Sequence, residues 1–324
     1  MSTLNKIKSP IKDEMSKFEP YFRKQLKTKI PLLSIITNYI IRRKGKQMRP
    51  MLVFLTAKLH GDVSESTFMA ATLIELLHSA TLIHDDVVDE TYQRRGIYSI
   101  NALWNSKIAV LVGDFFLSKG LLTALDNDQI GTLKIVSNAV KEMSEGELLQ
   151  IEKSRKLDIT EDVYFDIIRK KTATLITACT RAGAYSVEAS EDEVELMREF
   201  GENLGIAFQI RDDLFDYENN TLIGKPTGND IKEKKLTLPL IFALHNSSSS
   251  EKRKILSLVR RHNKNDKKIK EIIQFVKDKG GIEYTEKIMM EYGSRALAIL
   301  DNYPDSEVKE SLRELVNYTV KRKK

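Results

Sequence analysis

The chain is poor in the residues that punctuate or cross-link a fold: of 324 residues, 1 is cysteine, 7 are proline and 15 are glycine. The single cysteine excludes a disulfide framework within the chain. The small and apolar neighbours of Cys179 in TLITACTRAG make it a packed core thiol rather than a nucleophile. So few prolines and glycines argue against a β-sandwich, a β-barrel or a disordered chain, each of which needs frequent turns or low-complexity stretches. No unbroken apolar run approaches the roughly twenty residues that cross a bilayer. The N-terminus, MSTLNKIKSPIKDEM, lacks the apolar stretch of a signal peptide. These absences predict a soluble, cytoplasmic protein with no stable membrane insertion. Nucleic acid is excluded on other grounds. The net charge of +6 is small against 52 basic and 46 acidic residues, and the basic runs at 42–46, 232–235 and 321–324 carry no interleaved aromatics.

What the chain does have is long helical periodicity. Apolar residues recur at i, i+3, i+4 and i+7, and the spacing predicts helices over 11–28, 31–42, 48–59, 65–89, 99–126, 129–153, 161–184, 192–218, 229–246, 250–262, 266–279, 282–301 and 305–321. Pro50 and Pro239 fall near helix starts and Gly61 follows a helix end. The breaks are short, as between antiparallel neighbours in a bundle. The expected fold is all-α, a single helical bundle around a central cavity. One domain is expected over 1–324, with its motifs concentrated between about 40 and 245 and further helices over 250–321.

The most informative motif is acidic and occurs twice, as Asp85-Asp86-x-x-Asp89 in HDDVVDE and Asp212-Asp213-x-x-Asp216 in RDDLFDY. Spacing of i to i+4 puts the outer carboxylates of each copy on one helix face. An acidic cluster on a helix is usually a solvated face. Here both copies end apolar runs, LLHSATLIHDD and LGIAFQIRDD, so the carboxylates emerge from buried helices, where their mutual repulsion calls for a counter-cation. Mg2+ suits such a site, because it takes one or two protein carboxylates and completes its octahedron with water and phosphate oxygens. A diphosphate is therefore the first substrate class to consider.

Basic and polar residues accompany the carboxylates. Arg94 and Arg95 follow the first motif, and guanidinium forks match phosphate oxygens, although a pair of arginines in a polar loop is also an ordinary surface feature. Lys46 and Arg49 follow Gly45 at the start of a helix, where free N–H groups favour an anion. Lys170, Lys171 and Thr172 open the apolar run ATLITACTRAG, and Lys225 lies in the loop after the second motif. A lysine in either place serves a surface equally well. Gln209 stands three residues before Asp212, on roughly the same helix face. His84-Asp85 has the look of the metal-binding doublet of HD phosphohydrolases, but that class needs further histidines and the chain has five in all, with His60, His245 and His262 in unremarkable contexts.

Taken in order, these elements resemble the trans-isoprenyl diphosphate synthases, the polyprenyl synthetase family. GKQMRP stands at the family's GGKRxRP-like segment, ELLHSATLIHDDVVDETYQRRG at its first aspartate-rich region, KKTATLI at its Lys-Thr motif, and FQIRDDLFDY with GKPTGNDIKEKKLTLP at its second. Lys44 and Gln47 depart from the usual Gly and Arg of the first segment, and Asn219 stands where many members have Gly. The resemblance implies that Asp85, Asp89 and Asp212 ligate Mg2+, with Asp86, Asp213 and Asp216 supporting. It also implies three ions per site with substrate bound, and Mn2+ as a substitute. Arg94, Lys171, Thr172, Gln209 and Lys225 would grip an allylic diphosphate, and Lys46, Arg49, His78 and Arg95 would hold isopentenyl diphosphate. The partners implied are these two substrates and a second copy of the chain, with peripheral membrane contact only for product release.

The reaction so implied needs no protein nucleophile. The allylic C–O bond ionises as metal and basic side chains stabilise the departing diphosphate, the double bond of isopentenyl diphosphate attacks, and proton loss leaves a chain longer by five carbons. The tail would lie in an apolar tunnel along the helix before Asp85, past Thr81 and Ala80, then Leu77, Leu76 and Leu73. Short-chain members typically carry an aromatic at the first of these places. The small run Ser79-Ala80-Thr81 resembles long-chain synthases of the heptaprenyl, octaprenyl and solanesyl type. The alternatives are a farnesyl or geranylgeranyl diphosphate synthase, or the catalytic subunit of a heteromeric synthase. A terpene cyclase fits less well, because its second metal site is of the NSE/DTE type and RDDLFD is not.

Overall fold

A computed structural model describes residues 3–42, 45, 47–94, 96–218 and 228–322. Its helices are Thr3–Ile7 (α1), Lys12–Gln25 (α2), Pro31–Arg42 (α3), Met48–His60 (α4), Glu65–Val88 (α5), Ile100–Trp104 (α6), Ser106–Leu125 (α7), Ile130–Lys156 (α8) and Glu161–Ile168 (α9). They continue as Thr174–Tyr185 (α10), Glu191–Phe215 (α11), Asn229–Lys232 (α12), Leu238–His245 (α13), Ser249–Arg261 (α14), Asp266–Asp278 (α15), Gly281–Leu300 (α16) and Glu307–Lys321 (α17). A 3-10 turn joins α1 to α2, and a π-helical turn, Arg169–Ala173, joins α9 to α10. The one sheet among the described residues is a two-stranded hairpin of β1 (Gln93–Arg94) and β2 (Ile97–Tyr98), in which Arg94 pairs with Ile97.

Most long helices lie within a few residues of the expected bounds, and the departures have local causes. The run over 99–126 breaks at Asn105, which adopts φ 71° and accepts a hydrogen bond from the Ile108 N–H at 3.1 Å, capping α7. With ψ at 165° this is a region that side-chain-bearing residues rarely enter, and the strain is held by the cap, for which asparagine is strongly suited. The hairpin appears where periodicity suggests only a polar loop, and Gly96 at φ 76° turns it. The run over 229–246 becomes α12 and α13, separated by Lys234 at φ 60°, with Pro239 in the first turn of α13.

The chain divides into two compact units, and each is taken by itself. The first comprises Met1–Val140, Ala178–Arg198 and Asp305–Leu312. Its centre is α5 against α7, where Leu76, Ala80 and Ile83 share one buried apolar cluster with Ala109, Val112 and Phe116. The approach is close: a Cβ on Gly113 would lie 2.2 Å from His84 Nε2. By length and composition α5 and α7 are apolar enough to cross a membrane, yet α5 is mostly buried and serves as a core helix. The second unit comprises Lys141–Thr177, Glu199–Pro304 and Arg313–Lys324. Its core gathers Ile206, Ile210, Leu214 and Tyr217 of the α11 region with Leu238 and Leu240 of α13 and Ile272 and Val276 of α15.

Candidate active site

The first acidic motif ends α5 in the first unit. Asp89 is the C-cap residue, and its N–H donates to the Asp85 carbonyl at 2.8 Å. The carbonyl of Asp86 accepts from Thr91 N–H at 2.9 Å and from Asn101 Nδ2 at 3.0 Å, which fixes the helix end against α6. Asp85 and Asp89 are exposed and Asp86 is buried. A helix C-terminus carries the negative end of the backbone dipole, so these carboxylates sit where a cation is already favoured.

Behind this motif on α5, Ala80, Leu77 and Leu76 are buried, and Thr81 is half-buried with its hydroxyl donating to the His78 carbonyl at 2.9 Å. Arg49 lies in the first turn of α4, and its Nε donates to Glu75 Oε1 on α5 at 3.1 Å. Gln47, at the N-cap of that helix, is in the left-handed region at φ 52°, a conformation the family's usual arginine would enter no more readily. Lys44, Lys46, Arg95, Asn219 and Lys225 lie outside the described residues, and Arg94 is described only as a backbone position in β1.

The second motif ends α11 in the second unit and is built into a hydrogen-bonded ladder. Thr172 Oγ1 donates to Gln209 Oε1 at 2.7 Å, and Gln209 Nε2 donates to Asp213 Oδ1 at 2.7 Å. Tyr164 OH donates to Asp213 Oδ2 at 2.7 Å, and the backbone N–H of Asp230 donates to Asp216 Oδ2 at 2.6 Å. The ladder orients every group in it. Both Asp213 oxygens accept, so Gln209 turns its amide nitrogen to Asp213 and its oxygen to Thr172. Lys171 pairs with Glu147 and lies 3.4 Å from Gln150 Oε1, both on α8.

Lys171 and Thr172 project from the π turn, and two glycines make room for it. A Cβ on Gly205 would lie 2.5 Å from Ala173 Cα, and one on Gly146 would lie 2.8 Å from Lys171 N. Thus α8 and α11 both close on the turn at backbone distance. A π turn shifts its side chains out of α-helical register, and such turns concentrate at functional sites.

The electrostatics are those of crowded carboxylates in a dry wall. Burial pushes the Asp213 carboxyl up, with Asp212 and Asp216 adding repulsion and the bonds from Tyr164 and Gln209 working against it. Burial likewise pushes Asp230 up, with Asp213 and Asp216 contributing. The Tyr164 phenol is driven well above its usual range by burial and then by Asp213, so it remains a donor. Tyr164, Asp213 and Asp230 line a cavity of about 100 Å³ together with Lys171, Thr172, Gln209 and Lys235. The Ser154 hydroxyl, also in its wall, has no hydrogen-bond partner among the described residues.

An all-oxygen donor set with raised carboxyl groups is the chemistry a hard divalent cation relieves, so the residues fit Mg2+. Among the described residues no three His, Cys, Asp or Glu side chains form a cage by themselves. Mg2+ needs none, because water and substrate phosphate complete its shell. Tyr164, Glu147, Asp230 and Lys235 are absent from the sequence-predicted set. The GNDIKEKK segment signals the last two by charge alone, and nothing in the sequence marks Tyr164 or Glu147.

The polyprenyl synthetase family model matches residues 30–276. The chain belongs to the polyprenyl synthetase family. It is therefore a transferase, and its all-α architecture is the isoprenoid synthase fold. It is 34% identical over 320 residues to the all-trans-nonaprenyl-diphosphate synthase (geranyl-diphosphate specific) of Rhodobacter capsulatus, covering 98% of this chain and 97% of that protein. The crystal structure of a decaprenyl diphosphate synthase from Rhodobacter capsulatus superposes with a TM-score of 0.92 at 34% identity, covering 98% of each chain. That of a geranylgeranyl pyrophosphate synthase from Bacteroides thetaiotaomicron superposes at 0.84 with 39% identity, covering 99% of this chain and 100% of that one.

Proposed function

We propose that this family member condenses isopentenyl diphosphate with an allylic diphosphate, head to tail, to give a long-chain all-trans polyprenyl diphosphate and diphosphate. The observation that carries the reading is the ladder Thr172–Gln209–Asp213–Tyr164, which puts a lysine, a hydroxyl, an amide and carboxylates around one cavity. That set suits a metal-bound diphosphate and offers no protein nucleophile. In this reading the exposed Asp85 and Asp89 and the half-buried Asp212 ligate Mg2+, and the buried Asp86, Asp213 and Asp216 hold their backbones and neighbours in place. Three Mg2+ accompany the substrate, with Mn2+ as a substitute, and the bound ions supply positive charge to the departing diphosphate.

The chain's own residues bind and orient. Arg94, Lys171, Thr172, Gln209 and Lys225 grip the allylic diphosphate, joined by Lys235. Lys46, Arg49, His78 and Arg95 hold isopentenyl diphosphate, with Glu75 aiming the Arg49 guanidinium. Preorganised donors of this kind are worth roughly 10²–10³ in rate each. Both compact units act as one synthase domain, which works in the cytoplasm as a homodimer. The support for pairing is α7, whose outward residues Val110, Leu111, Leu117, Leu121, Leu122 and Leu125 form an exposed apolar stripe.

Incubation with Mg2+, farnesyl diphosphate and isopentenyl diphosphate, followed by sizing of the products, tests the reading. Elongation beyond C20 is expected, and no elongation removes it. Accumulation at C20 would favour the second reading, a geranylgeranyl diphosphate synthase, for which the 39% identity to such an enzyme speaks. Ala80→Phe is expected to shorten the product without abolishing turnover, because position 80 lies in the apolar cluster that α5 shares with α7. Unchanged product length in that variant would place the tunnel elsewhere.

A further inference from the structure

One contact to the second motif comes from the far end of the chain. Arg322 extends the last turn of α17, with its N–H donating to the Tyr318 carbonyl at 2.9 Å. Its guanidinium lies 4.0 Å from the Phe208 ring centroid and 5.4 Å from that of Phe215, both on α11. Through Nη2 it donates to the Phe208 carbonyl at 3.2 Å and pairs with Asp212 Oδ1. The clamp closes on itself, because Arg211 Nε donates to the Arg322 carbonyl at 2.9 Å while Arg211 also pairs with Glu218 at 2.7 Å and stacks 4.6 Å from Phe215. The Arg322 side chain is only 14% exposed, whereas that of Asp212 is 41% exposed.

This is an unusual place for a cation whose only task is stability. A long flexible side chain has been immobilised between two aromatic rings and a backbone carbonyl, with its charge aimed at one oxygen of one carboxylate. Arginine suits the role because its planar guanidinium can stack and donate at once, which a compact ammonium does less well. Pairing through Oδ1 is compatible with metal ligation, because Mg2+ takes a single oxygen from such a carboxylate and a carboxylate has about four lone-pair sites. Hydrogen-bond partners that fix a ligating carboxylate raise metal affinity by setting its direction in advance.

We infer that Arg322 is a positioning residue for Asp212: it holds the carboxylate in the orientation that receives Mg2+, and so couples the end of α17 to the metal affinity of the second motif. This rests on the reading of Asp212 as a ligand, and the two are separable. Mg2+ is titrated calorimetrically into the full chain in the presence of saturating inorganic diphosphate, for the unaltered protein, Arg322→Gln, Asp212→Asn and the double variant. Arg322→Gln is expected to weaken Mg2+ binding by about 10- to 100-fold. The double variant is expected to bind no more weakly than Asp212→Asn alone, since the two act through one group.

Unchanged affinity in Arg322→Gln overturns the inference. So does tighter binding, which would make the guanidinium a competitor of the ion. If Asp212→Asn alone leaves Mg2+ binding intact, the ligand assignment fails and the inference fails with it. If Asp212→Asn weakens binding and Arg322→Gln does not, only the inference falls. Arg322→Lys guards against a folding defect. It keeps the charge and is expected to recover part of the lost affinity, and a Lys variant as weak as the Gln variant overturns the proposal.

Discussion

Cys179 shows how far a single residue's neighbours can be trusted. Its small and apolar surroundings predict an inert thiol, and it is fully buried, with burial pushing the group up to about 12. A raised thiol stays protonated until the pH approaches that value, so at pH 8 a thiol reagent is expected to label native protein at least about a hundredfold more slowly than protein in denaturant. Rapid native labelling would contradict the burial. Tyr164 is the opposite case. As one aromatic among many it carries no signal, and its importance comes only from a fold that aims its hydroxyl at a buried carboxylate. Removing that donor in Tyr164→Phe leaves Asp213 less satisfied, at a cost of about 1–3 kcal/mol. Urea unfolding without Mg2+ measures it, and an unchanged midpoint would mean the bond is not contributing.

At the scale of the element, regular periodicity is legible and its interruptions are not. The expected helix over 161–184 is present as α9 and α10, but the π turn between them is not announced by the hydrophobic pattern, because a five-residue turn is too short for the apolar spacing on either side to reveal it. What admits the turn lies on other helices, in Gly146 and Gly205, whose bare Cα atoms let α8 and α11 close on it. A methyl group at Gly205 has nowhere to go at 2.5 Å from Ala173 Cα. Gly205→Ala is therefore expected to cost about 1–3 kcal/mol of stability and to lower kcat by displacing Lys171 and Thr172. Thermal unfolding and steady-state rates, compared with Lys171→Ala, test the coupling. A destabilised variant with full kcat would separate the packing from the chemistry.

Across the whole molecule, α7 carries the largest expectation not met within one chain. A helix that contributes Ala109, Val112 and Phe116 to the core while leaving Leu111, Leu122 and Leu125 at least half exposed has a second apolar face to cover. Placing lysines at Leu111 and Leu122 is expected to convert the proposed homodimer to monomer in sedimentation, whereas an unaltered protein that already sediments as a monomer would leave the stripe to another surface. The sequence alone determined the helical class, the two acidic motifs and the basic residues near them, because periodicity and charge are properties of neighbours along the chain. Tertiary structure alone brought Tyr164 to Asp213, Glu147 to Lys171, Glu75 to Arg49 and Arg322 to Asp212. Each of those pairs joins residues at least 24 positions apart. No local pattern encodes such a meeting, because it depends on which helix faces pack together.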